Sequence, residues 1–161
     1  MAIEIRELAE CSEVAANIAE WHWPEWEPGS PDGTIDGLRR MLASWTAPHG
    51  VPCIFVAFQG DEPVGSVALV SHDMEQPEQR FVGLTPWLSG LFVIADARRQ
   101  GAGAALVTAC QRRAELLGFA NLYLYTQTAE GFYERLDWAT FAEADYEDDV
   151  VKVMRTSLDS N

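Results

Sequence analysis

Apolar positions in this chain recur at two different spacings, and the change of spacing separates the predicted elements. From Ile3 to Leu8 apolar and polar residues alternate, as expected of a strand with one buried face. Short apolar runs bounded by turn residues predict further strands. They are Cys53–Phe58, Val64–Ser71, Leu91–Ile94, Asn121–Thr126, Ala139–Tyr146 and Val150–Ser157. The pattern therefore predicts about seven strands.

Apolar residues at intervals of three and four predict helices between these strands. Ser12 and Thr34 are expected to cap two early helices, and a long third helix is expected to end at Gly118. A short fourth helix is predicted over Glu130–Leu136. The first helix is expected to break in a loop at Pro24, Pro28, Gly29 and Pro31.

The order of elements is strand, two helices, three strands, helix, strand, helix and two strands. A strand–helix–strand crossover joins parallel neighbours, so the strands on either side of the third helix should be parallel. Hairpins elsewhere make the sheet mixed, with helices on both faces. We expect one α/β domain over residues 1–161, which is long enough for a substantial core.

Composition narrows the classes of partner. The chain is 48% hydrophobic and 22% charged, with a net charge of −14. Binding to a nucleic acid backbone requires a basic surface, so we expect no nucleic acid partner. The acidic charge favours cationic ligands by electrostatic steering.

Cys11, Cys53 and Cys110 are widely separated and lie in apolar segments, which is typical of reduced, buried thiols. The cysteines and the three histidines show no metal-ligand spacing, so we expect no metal.

The N-terminus lacks the features of a signal peptide, and no apolar run is long enough to span a bilayer. We therefore expect a soluble, cytoplasmic protein. Whether it forms a homodimer stays open.

The candidate chemistry is concentrated at the start of the third helix, in Arg98-Arg99-Gln100-Gly101-Ala102-Gly103-Ala104. The first N–H groups of a helix have no internal acceptor, and the helix dipole makes this end positive. Gly101 and Gly103 allow an anion to approach the backbone, and two arginines add charge. This arrangement suits a phosphate or pyrophosphate.

Two known phosphate-binding turns do not match. A dinucleotide-binding turn would have a third glycine where Leu106 stands and a carboxylate after the next strand, which ends at Tyr125-Thr126. A P-loop would need Gly-Lys-Ser/Thr, which the chain lacks. The alternative to a ligand site is a helix start with small residues that pack on a strand.

Two motifs resemble those of the GNAT superfamily of acyl-CoA-dependent N-acyltransferases. The first is Arg98-x-x-Gly101-x-Gly103, which follows an apolar strand and opens a long helix. The second is Phe132-Tyr133-Glu134-Arg135-Leu136-Asp137-Trp138, which is similar to the family's Phe-Tyr-x-x-Leu-Gly-Phe/Trp segment. The order of elements is also similar, so the resemblance covers nearly the whole chain.

The resemblance implies a fold in which two parallel strands splay apart and acetyl-CoA lies in the opening. It places a β-bulge at Gly90 and the pyrophosphate on the N–H groups of the third helix. Asp137 replaces a glycine of the family, and Asp tolerates the left-handed conformation. Thr126 stands where many members have an Asn that touches the cofactor. The implied cofactor-binding residues are Phe92, Val93, Arg98, Arg99, Gln100, Gly101, Ala102, Gly103, Ala104, Thr126 and Tyr133.

The resemblance also implies two catalytic positions. Tyr133 would be the general acid for the leaving thiolate or a hydrogen-bond donor to its sulfur. A strand N–H near Phe92 would stabilise the oxyanion. The alternative for Phe132 and Tyr133 is an aromatic pair in the core.

Candidates for the general base and the acceptor site lie in two segments of the chain, residues 20–25 and residues 72–89. Base candidates are Glu20, His22, Glu25, His72 and Asp73, and each has a solvated surface role as its alternative. Ser89 could order a water. Trp23 and Glu25 belong to a tryptophan-rich segment that suits an ammonium ligand through cation–π contact and charge. We therefore expect Trp23, Glu25, Asp73 and Ser89 at the acceptor site.

These observations predict an N-acetyltransferase that transfers acetyl from acetyl-CoA directly to a primary amine in a ternary complex, with a cationic small molecule as acceptor. One alternative is an enzyme that acetylates protein lysines or N-terminal amines. Others are a non-catalytic acyl-CoA sensor with the same fold and, more distantly, a nucleotide-binding domain of different chemistry.

Overall fold

The computed structural model describes residues 2–26, 34–45, 50–74 and 77–158, except for the side chains of Glu25 and Trp26. In this part of the chain seven strands and four α-helices follow in the expected order. The strands are β1 (Ile3–Glu7), β2 (Cys53–Gln59), β3 (Glu62–Val70), β4 (Trp87–Val93), β5 (Asn121–Thr126), β6 (Ala139–Tyr146) and β7 (Asp149–Ser157). The helices are α1 (Ala15–Trp26), α2 (Ile35–Ser44), α3 (Ala102–Leu116) and α4 (Glu130–Glu134).

One open sheet contains all seven strands in the order β1-β2-β3-β4-β5-β7-β6. Neighbouring strands are antiparallel except for β4 and β5, which are parallel and connected through α3. The predicted mixed sheet is therefore confirmed. Strand β7 lies between β5 and β6, so the turn between β6 and β7 lies beside the end of β5.

Two apolar cores lie on opposite faces of the sheet. Successive side chains of β2 point alternately into the two cores. Ile54 and Val56 pack with α1 and α2, whereas Phe55 and Ala57 pack with α3. A largely buried ion pair between Arg113 of α3 and Glu7 of β1 adds a polar link on the α3 side. The expected helices on both faces are confirmed.

Two predicted helix boundaries are wrong. Pro24 lies inside α1 instead of ending it. It falls in the last turn, so its missing N–H costs one helical hydrogen bond and only two helical residues follow it. Ser12 does not cap α1, because residues Ser12–Val14 form a 3₁₀ turn that leads into the helix. Pro28, Gly29 and Pro31 lie outside the described residues.

Other local predictions are confirmed. Thr34 caps α2 by accepting a hydrogen bond from the Gly37 N–H at 2.9 Å. Gly118 follows α3 with φ of +89°, and Asp137 has φ of +71°. Both therefore have the left-handed conformation expected of the turns they occupy. Cys11, Cys53 and Cys110 are free and buried.

Candidate functional site

The site is centred on the place where β4 and β5 separate. Their parallel pairing is confined to Trp87 and Tyr123, beyond which the strands diverge. On the other edge of β4, Ser66 of β3 pairs with Phe92 and Ala68 pairs with Ser89, so β4 contains one extra residue. The expected bulge is thus confirmed, and Gly90 within it has φ of +64°. The bulge and the separation expose the edge of β4 on the side of β5.

A cavity of about 470 Å³ lies at the carboxyl end of β4 and is called here the basic groove. Its floor is the start of α3, whose N-cap residue Gly101 has φ of +90°. Its lining residues are Leu91, Phe92, Val93, Ala97, Arg98, Arg99, Gly101, Gly103, Ala104, Ala129 and Phe132. Unpaired helix N–H groups and two guanidinium groups make this groove suited to an anion.

Close packing explains the small residue at Gly103. A Cβ built there would lie 3.2 Å from Cζ of Phe132 and 4.0 Å from Cγ2 of Val93. A larger side chain would therefore push against the wall of the groove. Arg98 is held in place because its Nε donates to the carbonyl of Val93 at 3.0 Å.

Four predicted cofactor residues do not line the groove, namely Gln100, Ala102, Thr126 and Tyr133. Gln100 hydrogen-bonds to Gln59 of β2 and to the carbonyl of Asp96, and Ala102 is buried at 1% exposure. Their predicted contribution was a backbone N–H, which remains a prediction. Thr126 lies in the neighbouring cavity, where its Oγ1 accepts from the Ala129 N–H at 3.1 Å.

A second cavity, of about 770 Å³, lies on the other side of the opening and is called here the acidic cleft. Leu91, Ala129 and Phe132 line both cavities. The remaining residues of the acidic cleft are Leu38, Met41, Trp45, Val70, His72, Asp73, Leu88, Ser89, Gly90, Leu124, Tyr125, Thr126, Gln127, Thr128, Tyr133 and Glu147. Its lining includes two carboxylates and, among the described residues, neither lysine nor arginine.

Asp73 follows β3 and is held against the start of β4. The hydroxyl of Ser89 donates to Oδ1 of Asp73 at 2.7 Å. Burial raises the pKa of the Asp73 carboxyl to about 6, and the charge of Glu147 acts in the same direction, whereas the Ser89 hydrogen bond lowers it. Two predicted acceptor residues are thus brought together, and one of them has the pKa of a usable base.

Tyr133 is 6% exposed, lines the acidic cleft and contacts other aromatic rings. Its ring centroid lies 5.0 Å from that of Phe132 and 5.8 Å from that of Trp138. Desolvation raises the pKa of its hydroxyl, which therefore stays protonated. Tyr133 is both a core aromatic residue and a cleft residue, so the two alternatives for it are not exclusive.

The tryptophan-rich segment contributes less to the cleft than expected. Trp21 stacks on Phe92 with ring centroids 5.6 Å apart, and buried His22 contacts the same ring edge-on. Trp23 packs against the core beneath α1 and α2 and does not line the cleft. The side chain of Glu25 lies outside the described residues.

Sequence reasoning missed several cleft residues, of which four have large or charged side chains. Met41 lies in α2 and Trp45 directly follows it, Tyr125 lies in β5, and Glu147 lies in the turn after β6. Met41 and Trp45 fell in an apolar stripe, which is the ordinary pattern of a core helix. A turn rich in acidic residues between two alternating strands was the available signal for Glu147, but the sequence does not show which strand that turn faces.

The described residues contain no group of three or more potential metal-ligating side chains. None of the helices in the described part of the chain is both long and apolar enough to cross a lipid bilayer.

Comparison with known proteins shows which family has this architecture. The model of the acetyltransferase (GNAT) family matches residues 15–138. A protein of Bacillus subtilis (strain 168), provisionally named an acetyltransferase, is 29% identical over 114 residues, which cover 70% of this chain and 71% of that protein.

Solved structures show the same fold. An N-acetyltransferase from Staphylococcus aureus Mu50 has a TM-score of 0.72 at 16% identity and covers 99% of this chain and 100% of its own. An aminoglycoside 6'-N-acetyltransferase complexed with coenzyme A has a TM-score of 0.68 at 16% identity, and the match covers 100% of this chain and 99% of that enzyme. The family match spans more than half of the sequence, and this chain therefore belongs to the GNAT acetyltransferase family.

Proposed function

We propose that the protein is an N-acetyltransferase that transfers acetyl from acetyl-CoA to a primary amine of a cationic small molecule. The observation that carries the proposal is a pair of cavities that share three lining residues, one basic and built on a helix start, the other acidic. The matched structures include an aminoglycoside acetyltransferase complexed with coenzyme A and a provisionally named acetyltransferase from Salmonella typhimurium with acetyl-CoA. In this proposal acetyl-CoA supplies the activated acyl group, and this chain supplies binding, orientation and proton transfer.

The basic groove would hold the pyrophosphate. Backbone N–H groups at the start of α3 donate to phosphate oxygens, and Arg98 and Arg99 add positive charge. The exposed edge of β4 runs from this groove to the acidic cleft. Its free backbone groups suit the amide-rich arm of the carrier, as in the addition of a strand to a sheet edge.

In this proposal the Val93 N–H, rather than that of Phe92, would bond to the arm of acetyl-CoA, and the oxyanion donor near Phe92 stays a prediction. The Ile94 N–H donates to the Val64 carbonyl of β3 at 2.9 Å. Because N–H groups point alternately to the two sides of a strand, the Phe92 N–H also points to β3, whereas that of Val93 points to the opening. The Val93 carbonyl, which faces the same way, accepts from Arg98. Phe92 would then act through its ring, held by Trp21 and His22.

Asp73 is our candidate for the general base. Its carboxylate lies in the acidic cleft, and Ser89 fixes its orientation. An alkyl ammonium group has a pKa near 10, so a carboxylate of ordinary pKa is poorly matched to it. Burial reduces this mismatch by about 2 pKa units, which corresponds to about 3 kcal/mol.

Tyr133 would donate a hydrogen bond to the leaving sulfur. None of the described residues is hydrogen-bonded to its hydroxyl, which leaves that donor available in the cleft. Because its pKa is raised, Tyr133 is a weak acid. Stabilisation of the sulfur by a hydrogen bond therefore fits better than complete proton transfer before the C–S bond breaks.

Direct transfer fits this chain better than an acyl-cysteine route. Cys110 of α3 is fully buried and Cys53 is 1% exposed, and neither residue lines a cavity. Burial raises the pKa of the Cys53 thiol to about 11 and that of Cys110 well above its usual range. The thiolate is the nucleophilic form, and both thiols are therefore unsuited to attack.

The deciding experiment is an amine screen in which acetyl-CoA is supplied and the free CoA thiol is measured. We expect thiol release that depends on a cationic amine and follows single-step, ternary-complex kinetics. Protein substrates with free lysines or N-termini form a second arm of the screen. Tight binding of acetyl-CoA without amine-dependent thiol release in either arm would favour a sensor and contradict the proposal.

A further inference from the structure

Glu147 lies in the acidic cleft because of the unusual backbone of the β6–β7 turn. Glu147 and Asp148 are the two central residues of this turn, with φ of +50° and +68°. Positive φ at both positions is typical of a tight hairpin turn, which normally favours Asn or Gly. The flanking residues Tyr146 and Asp149 are paired, and Asp149 also accepts a hydrogen bond from Gln127 at 3.0 Å. The turn is therefore fixed beside the cleft.

The two carboxylates of the cleft have no ion-pair partner among the described residues. Glu147 is exposed, but its charge acts on both Asp73 and Tyr125. No described lysine or arginine lines this cleft. Two like charges that face one space disfavour each other, and a ligand with two separated positive charges would relieve this repulsion.

Two further observations show that the cleft is built for a ligand. Tyr133 is 6% exposed and lines the cleft, yet none of the described residues is hydrogen-bonded to its hydroxyl. Tyr125 also lines the cleft, where the charges of both Asp73 and Glu147 act on it, and its ring lies 5.1 Å from that of Tyr146. Aromatic faces bind alkyl chains and ammonium groups.

We propose that the acceptor is a linear aliphatic diamine or polyamine, with one amine at Asp73 for acetylation and a second ammonium group bound by Glu147. This inference rests on the proposed function and names the acceptor class of the same site. Glu147 is then a specificity-determining residue. It would act on acceptor binding, whereas Asp73 acts on proton transfer.

The test compares 1,4-diaminobutane with 1-aminobutane, which has the same carbon chain and one charge. At one fixed pH we expect the kcat/KM of the wild type to favour the diamine by about tenfold or more. In Glu147→Gln this preference should fall at least fivefold, chiefly through the KM of the diamine. A diamino sugar also carries two positive charges, but on a ring. Comparing its kcat/KM with that of 1,4-diaminobutane shows whether the site prefers a linear or a ring-shaped acceptor.

Asp148→Asn is the matched control. It removes the same charge from the neighbouring position of the same turn, but Asp148 does not line the cleft. We expect it to keep the wild-type preference for the diamine. An equal loss in both variants would assign the effect to the general charge of the turn and overturn the proposal.

Other outcomes are equally decisive. Two results would overturn this inference and leave the proposed function standing. In the first, the enzyme acetylates amines but shows no preference for the diamine, and in the second, Glu147→Gln keeps that preference. A preference for the diamino sugar over the linear diamine would overturn the linear acceptor class. If no amine releases thiol, the proposed function fails. Calorimetric binding of 1,4-diaminobutane then tests the site, and equal affinity of wild type and Glu147→Gln would overturn the role of Glu147.

Discussion

The basic groove and the acidic cleft share three residues but are built in opposite ways. Most of the groove comes from one contiguous stretch, residues 91–104, and we propose that it acts largely through backbone N–H groups. The cleft collects side chains from α2, the end of β3, β4, β5 and the β6–β7 turn. Backbone donors tolerate many sequences if bulk is kept away, whereas a side-chain site depends on individual groups. The two regions should therefore respond differently to substitution.

The largest effect is expected at the cleft. Asp73→Asn should lower kcat/KM by about a thousandfold, because general base catalysis contributes 10²–10⁴-fold. The affinity for CoA should stay unchanged, as measured by calorimetry. Asp145→Asn, an exposed change on β6, is the control and should have wild-type activity.

The pH profile sharpens this prediction. Asp73 accepts a proton only when ionised, so the kcat/KM of the wild type should fall as the pH drops below about 6. The residual kcat/KM of Asp73→Asn should not show this fall below pH 6. The folded-state pKa is raised, so the ionised Asp73 destabilises the fold above pH 6, by up to about 3 kcal/mol. The variant should therefore be at least as stable as the wild type at pH 7, and a loss of stability there would contradict the assigned burial.

The second largest effect is expected in the groove. Ala104→Glu places bulk and negative charge at the start of α3 and should weaken CoA binding about a hundredfold, close to 2.7 kcal/mol. The fold should persist, since an acidic residue in the first turn of a helix is favourable. Thr108→Glu, exposed on the same helix, is the control. Equal CoA affinity of the two variants would exclude the groove as the pyrophosphate site.

A smaller effect is expected at Tyr133, which lines the acidic cleft beside Phe132. Tyr133→Phe keeps the ring contacts with Phe132 and Trp138 and removes only the hydroxyl. We expect kcat to fall about tenfold to thirtyfold, the cost of one hydrogen bond in the transition state, with little change in CoA affinity. Tyr123→Phe is the control for a tyrosine of the core. Wild-type turnover by Tyr133→Phe would remove its proposed role.

The smallest effect concerns the bulge that separates the two regions. Gly90→Ala places a Cβ on a left-handed residue and should cost about 1–2 kcal/mol of unfolding free energy. Gly60→Ala introduces the same strain in the β2–β3 turn, far from the site. Denaturant unfolding should show a similar loss of unfolding free energy in both variants. Only Gly90→Ala should also lower kcat, and equal activity of the two variants would show that the bulge has no part in catalysis.

The two regions also differ in how far the sequence predicted them. The groove is local: Gly101, Gly103 and the arginines are close in sequence, and a strand–turn–helix pattern fixes their relation. The bulge at Gly90 and the cap at Thr34 were predictable for the same reason. Asp73 and Ser89 were named as candidates, but their hydrogen bond joins two strands across a long loop.

The remaining site residues could not be predicted because their positions depend on the order of strands in the sheet. Glu147 lies beside Tyr125 because β7 is inserted between β5 and β6, which no local pattern reveals. Trp23 was expected at the acceptor site from its residue type. It lies in α1, which continues through Pro24, and packs against the core instead.

The wall of Leu91, Ala129 and Phe132 has a consequence for the order of events. We propose that each cavity opens to solvent separately, so that the spent carrier can depart from one end while the other end is already occupied. We expect exchange of the two ligands to be independent, with neither compelled to arrive first, so that initial-rate patterns should fit a random sequential scheme.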